Sequence, residues 1–458
     1  MQIIRMAGSD PIKGTDNIQS QFQREGGQAK ISENSYGIAV DIGTTTVDMA
    51  LYDLMEGRRV SGYQEKNSQT ILGADVMMRL MHCQRGFQKK LEQLIREQLQ
   101  KMAEELCSGV CKIDQIRTLI AVGNTTMCHI FLGQDVSGLA GSPFRPAYRG
   151  IYRCKGSDLG MDRMKSVEVI VPAGIDAHVG ADAVAMICAL GLHETKEIVL
   201  AVDIGTNAEI ALSCQGEIAV CSAPAGPAFE GAEISQGMRG EPGAIAGMHI
   251  AGQSGNILLE VIPDDKRNIY PVKGICGSGL IDSIASLRQN DILQPDGYLI
   301  CDVKEADRLG FSGYLRERIT EKGFLVYLDP GGQHVCLTQK DIRQFQLAKA
   351  AVQAGIRMLL EQKGLRLEQV DRLYIAGVFG GHISKKSAVL TGLFPDIARE
   401  KIVIAGNAAG DGAAKALLSE EFLRQTEKVG TEAIHVELAQ QEAFQKEFLV
   451  SMEIVPWN

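Results

Sequence analysis

The stretch that decides the fold runs Ile198-Val-Leu-Ala-Val-Asp-Ile-Gly-Thr-Asn-Ala-Glu-Ile-Ala-Leu212. In it an apolar run ends in an acidic residue, a glycine and a hydroxyl, and then resumes as a second apolar run. An earlier stretch, Tyr36-Gly-Ile-Ala-Val-Asp-Ile-Gly-Thr-Thr-Thr-Val-Asp-Met-Ala-Leu51, repeats the same order. The sequence therefore predicts two tight β-hairpins of one design in a single chain.

The residues at these two turns suit a nucleotide phosphate. Glycine lets the backbone approach a ligand and take a positive φ, and successive N–H groups can then point at one phosphate. The aspartate that ends each incoming strand, Asp41 or Asp203, is placed to hold a hydrated Mg²⁺ between phosphates. One such turn alone is most often only a hairpin. Its recurrence favours two loops that grip a triphosphate from both sides, through Gly43, Thr44, Thr45 and Thr46 in one and Gly205, Thr206 and Asn207 in the other.

Length and composition indicate a soluble globular protein of two or three domains. The chain has 458 residues, of which 45% are hydrophobic and 22% charged, enough for substantial cores. A formal net charge of −9 gives no support to binding nucleic acid or an anionic membrane. Because there is no apolar run of membrane-spanning length and no signal-peptide core, we expect a cytoplasmic protein.

The eleven cysteines are spaced like buried thiols. Cys107 and Cys111 form the only close pair, and no Cys-x-x-Cys occurs. The others are scattered through apolar segments, as expected in a reducing compartment. We therefore expect no iron–sulfur cluster and no zinc site in this chain.

Other segments read as packing or capping elements. The stripe of apolar residues over positions 87 to 106, which begins with Phe87, predicts an amphipathic helix that packs inward. Residues 67 to 79 predict a capped surface helix. A buried strand then leads into a helix with Asn124 or Thr125 as its N-cap, which is either a ligand position or an ordinary cap. His129 is expected to be a satisfied core residue.

Two helices of small residues, at positions 181–190 and 409–417, suit connectors that cross between two lobes and form a hinge. Gly274-Ile-Cys-Gly-Ser-Gly279 opens another helix, and residues 341 to 360 form a further amphipathic helix. The strand from Arg372 ends in Gly380-Gly381, where a base or ribose can lie against bare backbone, although a tight turn explains the same glycines.

The order of these elements resembles the actin, Hsp70 and sugar-kinase superfamily. More narrowly, the chain resembles the ATP-dependent reductive activators of corrinoid proteins. The resemblance covers about residues 36 to 420 and rests on seven motifs: Asp41-Ile-Gly-Thr-Thr-Thr46, Gly123-Asn-Thr-Thr-Met127, Asp203-Ile-Gly-Thr-Asn-Ala-Glu209, Ala225-Gly-Pro-Ala-Phe-Glu-Gly231, Gly274-Ile-Cys-Gly-Ser-Gly279, Gln346-Leu-Ala-Lys-Ala350 and Gly406-Asn-Ala-Ala409.

The fold implied is α/β, a two-lobed actin-like ATPase of the ribonuclease H-like type, with a duplicated core and a central nucleotide cleft. The expected domains are a flexible tail (1–34), lobe I ending in a connector helix (35–192), lobe II with the adenosine motif (193–405), and a second connector with the C-terminal segment (406–458). The cofactors implied are ATP and Mg²⁺.

The function implied is ATP hydrolysis that remodels a corrinoid protein, so that inactive Co(II) can be reduced to Co(I). We expect Asp41 and Asp203 to position Mg²⁺ through water, with Asp203 essential for hydrolysis. Asp182 is the candidate for orienting the attacking water, with Asp176 and Glu230 as alternates. The resemblance implies further nucleotide-binding positions. Gly231 is the glycine of the Glu230 loop. Gly380, Gly381 and Asn407 are expected to flank the adenosine, and the helix that contains Gly279 is expected to cover the other face of the adenosine.

Relatives carry iron–sulfur cysteines, commonly in an N-terminal ferredoxin-like domain, whereas here a short polar tail precedes Tyr36. Two explanations stay open: the chain acts with a separate redox protein, or its ATPase module serves a different client. Relatives suggest a homodimer. Three alternatives stay open: a small-molecule kinase of the same fold, an activator of a 2-hydroxyacyl-CoA dehydratase, and a filament or scaffold protein that uses nucleotide as a switch.

Overall fold

The computed structural model describes residues 3–6, 35–251, 255–264, 272–377, 383–438 and 441–457. Its first strand, β1 (Ile3–Met6), lies in the segment expected to be a tail. Lobe I then supplies six strands: β2 (Tyr36–Ile42), β3 (Thr46–Asp53), β4 (Arg58–Lys66), β5 (Ile116–Val122), β6 (Tyr152–Lys155) and β7 (Glu168–Val171). Its helices are α1 (Val76–His82), α2 (Gln88–Cys107), α3 (Thr125–Leu132) and α4 (Ala181–Ala189).

Lobe II is larger because an insertion interrupts its core. The core strands are β8 (Ile198–Ile204), β9 (Ala208–Cys214) and β10 (Glu217–Ala223). The insertion contains β11 (Ala244–Ala251), β12 (Asn256–Val261), β13 (Gly274–Ile275), α5 (Gly277–Gln289), α6 (Val303–Leu309), α7 (Gly313–Arg316), β14 (Ile319–Thr320), β15 (Gly323–Leu328) and β16 (His334–Leu337). The chain continues through α8 (Gln339–Gln362), β17 (Arg372–Ala376), α9 (Lys385–Leu390), β18 (Ile402–Gly406), α10 (Ala408–Leu418), α11 (Glu420–Glu432), β19 (Ile434–His435) and α12 (Glu442–Val450).

The two lobes are built on one sheet pattern. In lobe I the strand order is β4-β3-β2-β5-β7-β6, and in lobe II it is β18-β17-β8-β9-β10-β19. Each core begins with a three-stranded antiparallel meander, and its first strand pairs in parallel with a later strand, β5 or β17. Five strands of each sheet therefore correspond one to one, and the predicted α/β fold with a duplicated core is confirmed.

The predicted connector helices pack against each other. Gly412 of α10 allows the contact, because a Cβ at this position would lie 2.4 Å from the carbonyl oxygen of Ala185 in α4. Ala183, Met186 and Ile187 of α4 are buried, together with residues of the lobe II sheet. Small side chains thus let the two helices approach closely, as their composition indicates.

Two expectations about packing were wrong in part. Strand β1 pairs in parallel with β12, with Ile3 opposite Leu258, so this part of the expected tail belongs to a sheet. Helix α2 buries its stripe, including Leu91, Ile95 and Leu99, but Phe87 at its head is 46% exposed. In the described part of the chain, no helix is both long and apolar enough to cross a membrane.

Candidate nucleotide site

The structure brings the two predicted phosphate hairpins together across the cleft between the lobes. The hydroxyl oxygens of Thr45 and Thr206, 161 residues apart in sequence, lie 3.3 Å from each other. A second contact crosses the same boundary, since the Arg239 guanidinium of lobe II donates to the Thr45 carbonyl at 3.0 Å. The turn residues of both hairpins therefore face one space.

Three side chains of lobe I fix the first loop. Asn67 donates through Nδ2 to the Gly43 carbonyl at 2.8 Å, and the buried Arg79 guanidinium donates to the Thr44 carbonyl. Asn124, the N-cap of α3, donates to the Thr44 hydroxyl at 3.0 Å. Because these carbonyls point into the protein, the amide N–H groups are the backbone atoms of this loop left to meet an anionic ligand.

The conformational reason given for the turn glycines was wrong. Neither Gly43 nor Gly205 has a positive φ. Gly43 is required for space, because a Cβ there would lie 2.5 Å from the carbonyl oxygen of Thr46 in its own hairpin. Gly205 is less restricted, since a Cβ would come no nearer than 3.5 Å to Asn207 and 3.9 Å to Glu230.

The second loop is tied to Glu230. The Thr206 hydroxyl donates to Glu230 Oε1 at 2.9 Å, while Glu230 Oε2 is buried without a hydrogen-bond partner among the described residues. Gly231, directly after it, has φ 76° and would bring a Cβ within 2.5 Å of the Met238 carbonyl. A close backbone approach that only glycine allows thus holds Glu230 next to the loop, and one of its carboxylate oxygens is buried without a partner among the described residues.

Each hairpin places a second acid opposite its strand-ending aspartate. In the first, Asp41 lies across from Asp48, and in the second, Asp203 lies across from Glu209. Sequence reasoning assigned no role to Asp48 or Glu209. The signal was present, because both repeats carry an acid at the position that antiparallel pairing brings opposite the first.

Burial raises the pKa values of these acids, and for all of them except Asp182 repulsion from a neighbouring acid adds to the effect. Burial raises the pKa of Asp203 to about 7, and the neighbouring Asp182 adds to the effect. Burial likewise raises the pKa of Asp182 to about 6, against hydrogen bonds from backbone N–H groups. The pKa of Asp41 is well above its usual range, first by burial and then by repulsion from Asp182, Asp203 and Asp48. The pKa of Glu209 is also raised, first by burial and then by repulsion from Asp182 and Asp203.

The structure separates the candidates for orienting water. Asp182, in the first turn of α4, is close enough to Asp41, Asp203 and Glu209 to raise the pKa of each. Asp176 instead accepts from Arg149 at 2.9 Å and lies 3.1 Å from His435 Nδ1. Asp176 therefore belongs to a separate polar contact, whereas Asp182 lies at the centre of the carboxylate cluster.

Of the four positions predicted to surround the adenosine, the structure describes two, Asn407 and Gly279, and their surroundings differ. Asn407 caps α10 and donates through Nδ2 to Asp48 Oδ2 at 2.9 Å, so its amide faces the acids of the first hairpin. Gly279 is buried in α5, where a Cβ would lie 2.1 Å from the Ile245 carbonyl, which gives it a packing role. Gly380 and Gly381 lie outside the described residues.

Gly377, which sequence reasoning passed over, approaches the cluster closely. It has φ 97°, and a Cβ at this position would lie 2.8 Å from Asp203 Oδ1 and 2.6 Å from the Ile204 carbonyl. Its N–H donates to the Gly406 carbonyl at 2.9 Å. The strand end that precedes the double glycine therefore packs directly against the second hairpin.

The donor set suits a hard cation held through water. Asp41, Asp182, Asp203 and Glu209 make no ion pair with a basic side chain in the described part of the chain, and burial is the main reason that their pKa values are raised. In the described part of the chain, no three His, Cys, Asp or Glu side chains lie close enough together to hold a metal ion without further ligands. Mg²⁺ fits this arrangement, because it keeps several waters and takes further ligands from substrate phosphates.

Two family models match adjoining parts of the chain from residue 36 onward. Residues 36–195 match the model described as the RACo middle region, and residues 197–457 match the C-terminal domain of RACo, the ASKHA domain. The boundary between the matches falls just after α4 and just before β8, so each match takes one copy of the duplicated core.

Curated relatives and a solved structure agree with these matches. The corrinoid activation enzyme RamQ of Eubacterium limosum is 32% identical over 425 residues, which cover 91% of this chain and 70% of the relative. The [Co(II) methylated amine-specific corrinoid protein] reductase of Methanosarcina barkeri is 27% identical over 433 residues, with 91% and 76% covered. The solved reductive activator for a corrinoid, iron–sulfur protein superposes with a TM-score of 0.82 at 32% identity, covering 94% of this chain and 67% of that one.

Proposed function

The chain belongs to the RACo family of corrinoid-protein activators, and we propose that it hydrolyses ATP in the cleft between its lobes to remodel a corrinoid protein. In this proposal the client's cobalt then takes one electron from a reduced donor and passes from Co(II) to Co(I). Membership of the family supports the corrinoid client, and the geometry of the cleft supports the nucleotide.

The observation that carries the proposal is the meeting of Thr45 and Thr206 at 3.3 Å. Two loops of one design, one from each lobe, present their turns to the same space, and carboxylates from both lobes lie beside them. A triphosphate between the loops would be bound by both lobes at once. Hydrolysis to ADP and inorganic phosphate breaks the link between the phosphate groups that the two loops bind. The closed arrangement of the lobes then loses its stabilisation by the nucleotide, and the lobes can separate.

Each acid has a proposed task. Asp41 and Asp203 would hold Mg²⁺ through its water ligands, and the ion would neutralise charge on the phosphates. Asp182 accepts hydrogen bonds from the attacking water and turns an oxygen lone pair toward phosphorus. Burial raises its pKa, and a bound cation would favour the ionised form that accepts these hydrogen bonds.

Glu230 is proposed to assist through the free oxygen of its side chain. Oε1 accepts from Thr206, which fixes the carboxylate in one orientation, while Oε2 has no partner among the described residues. A buried acceptor without a partner is costly, so a water beside the phosphate would relieve that cost.

The remodelling step needs energy because reduction of Co(II) to Co(I) is uphill for ordinary cellular donors. A nucleotide shifts a client equilibrium only by its differential affinity for two states of the activator. We propose that the ATP-bound, closed state binds the client in the form that accepts the electron. A homodimeric assembly is proposed as well, on the resemblance to relatives.

The test is an ATP-dependent reduction assay with a Co(II) methylated-amine-specific corrinoid protein and titanium(III) citrate as the reductant. The wild-type chain is expected to yield Co(I) only with Mg²⁺ and ATP, and Asp203→Asn to lower hydrolysis at least 100-fold. Asp176→Asn is the matched control, because Asp176 lies outside the cluster, and it should retain activity. Formation of Co(I) at the same rate and yield without ATP would refute the proposal.

A further inference from the structure

Helix α1 exposes an apolar face close to the first hairpin. Five of the fifteen large hydrophobic side chains that are exposed in the described part of the chain fall within 17 residues: Ile71, Met77, Met78, Met81 and Phe87. Exposed apolar groups that cluster in this way are typical of binding surfaces. Methionine is suited to that role, because its flexible thioether adapts to different partner shapes.

These side chains are held on a rigid base. Asp75 caps α1 by accepting from the Met78 N–H at 2.8 Å, and Leu80 is buried in the lobe I core. The Phe87 ring packs edge-on against His82, with ring centroids 5.7 Å apart. Phe87 ends the kink between α1 and α2, Cys83–Phe87, in which Gly86 takes φ 89°.

The opposite face of α1 reaches the phosphate loop. Arg79 is fully buried and donates to the Thr44 carbonyl, to the Gly73 carbonyl at 3.1 Å and to Gln69 Oε1 at 3.1 Å. One short helix thus carries the exposed methionines on one side and holds the first hairpin on the other. A shift of α1 on binding a partner would move the Thr44 carbonyl, and a shift of the loop on binding a nucleotide would move α1.

The charge around this face indicates the chemistry of its partner. The chain carries a net charge of −9, but residues 76 to 90 contain no Asp or Glu. Arg85, Lys89 and Lys90 are exposed there, although Lys89 also lies 3.0 Å from Glu92. An apolar centre with a basic rim fits a partner whose apolar patch is bordered by acidic side chains.

We propose that Met77, Met78, Met81 and Phe87, the methionine face, form the docking surface for the corrinoid protein, and that Arg79 links its occupancy to the first phosphate hairpin. The inference rests on the proposed function, because it takes the client from there. It adds where the client binds and how binding is transmitted to the nucleotide.

The test compares two double variants that add the same charge. Met77→Glu/Met81→Glu places two carboxylates on the methionine face, and Leu309→Glu/Leu449→Glu places two on exposed apolar positions elsewhere (56% and 70% exposed). Both are expected to fold, with ATP hydrolysis in the absence of client within twofold of wild type. Affinity for the Co(II) methylated-amine-specific corrinoid protein, measured with a non-hydrolysable ATP analogue, should fall at least tenfold only in the first variant.

A second variant tests the rim. Arg85→Glu/Lys90→Glu should weaken the same binding and reduce its dependence on salt, because the lost contacts are electrostatic. If wild-type protein binds and activates the client and Met77→Glu/Met81→Glu does so equally well, the docking surface is refuted and the proposed function stands. If wild-type protein does not activate the client with ATP, the proposed function itself fails and this inference with it.

Self-association is the other occupant to be distinguished. The mass of each variant in solution, measured by light scattering, should equal that of the wild type. Conversion of a wild-type dimer into a monomer by Met77→Glu/Met81→Glu would show that a second copy covers this face, and would overturn the assignment to the corrinoid protein.

Discussion

Thr206 of lobe II lies with its hydroxyl oxygen 3.3 Å from that of Thr45 in lobe I and 2.9 Å from Glu230 Oε1, to which it donates. One hydroxyl therefore joins the first hairpin to the acid beside the second. Thr206→Val removes the donor and leaves both oxygens of the Glu230 carboxylate without a hydrogen-bond partner among the residues that the structure describes. We expect kcat for ATP hydrolysis to fall about 100-fold, the usual size of losing one oriented group in a closed site.

Thr206→Ser keeps the hydroxyl and is expected to stay within a few-fold of wild type. Thr45→Val removes only the weaker contact at 3.3 Å and should have a smaller effect than Thr206→Val. Steady-state phosphate release at saturating ATP measures all three. Equal rates for Thr206→Val and Thr206→Ser would mean that the hydroxyl has no part in hydrolysis.

The raised carboxylate pKa values predict proton release when Mg²⁺ and nucleotide bind. Asp203, with a pKa of about 7, and Asp182, with one of about 6, are partly protonated at pH 6, and a cation favours their ionised forms. Affinity for the magnesium-bound ATP analogue should therefore rise from pH 6 to pH 8, with more protons released at the lower pH. Calorimetry in buffers of different ionisation enthalpy measures that release.

The same groups set the pH dependence of stability without ligand. Their folded-state pKa values lie above the unfolded value of about 3.9, so the stability that protonation contributes is fully present below about pH 4. It is lost as pH rises through about 7. The melting temperature of the ligand-free wild-type protein should fall as pH rises from about 4 to about 7. The melting temperature of Asp203→Asn should fall by a smaller amount over the same range. A profile identical in wild type and variant would contradict the assigned shift.

Much of this site follows from the sequence because its determinants are local. A strand, a turn and a second strand are specified by neighbouring residues, so both hairpins were predicted correctly, and of the two N-cap candidates for α3 the structure uses Asn124. The acids opposite Asp41 and Asp203 were missed because their positions depend on register, which is fixed only when the hairpin pairs.

Other features depend on contacts between distant segments. Arg79 lies in a segment predicted as a surface helix, yet its burial requires a carbonyl 35 residues earlier in the chain. Phe87 fits the periodicity of α2, but the turn at Gly86, with φ 89°, ends that periodicity and directs the ring outward. The contact between Thr45 and Thr206 depends on how the two lobes pack together, so neither hairpin sequence alone predicts it.

Gly377→Ala should disturb the second hairpin through a direct clash. The added Cβ would lie 2.8 Å from Asp203 Oδ1 in a backbone conformation with φ 97°, so the carboxylate has to move. We expect a large loss of ATP hydrolysis together with a lower melting temperature. Gly364→Ala is the control for the backbone cost alone, because Gly364 has φ 62° with nothing within 4 Å of the added Cβ.

The control should lower stability by about 1–2 kcal/mol, the cost of a Cβ in the left-handed conformation, and leave hydrolysis per folded molecule unchanged. The comparison is made on activity per mole of bound nucleotide analogue at a temperature where both variants are folded. Equal loss of activity in the two variants would show that the approach of Gly377 to Asp203 has no special part in placing the carboxylate.

The C-terminal segment is expected to depend on one buried lysine. Lys349 of α8 is 1% exposed, and its ammonium donates to the Ser451 carbonyl at 2.7 Å and to that of Glu453. Lys349→Met keeps the aliphatic stem but leaves both carbonyls without this donor. We expect the free energy of unfolding to fall by about 2–4 kcal/mol, since an unsatisfied buried acceptor costs about 1–3 kcal/mol.

Lys340→Met is the matched control, because Lys340 is exposed on the same helix; its stability should change by less than about 0.5 kcal/mol. Urea unfolding of both variants gives the difference. Limited proteolysis locates it, because loss of the lysine contacts should release residues 451–457 before the rest of lobe II unfolds. Cleavage that begins elsewhere in Lys349→Met, with the C-terminal residues still protected, would mean that the segment is held by its other contacts, such as the hydrogen bond from Trp457 Nε1 to the Gly392 carbonyl at 2.7 Å.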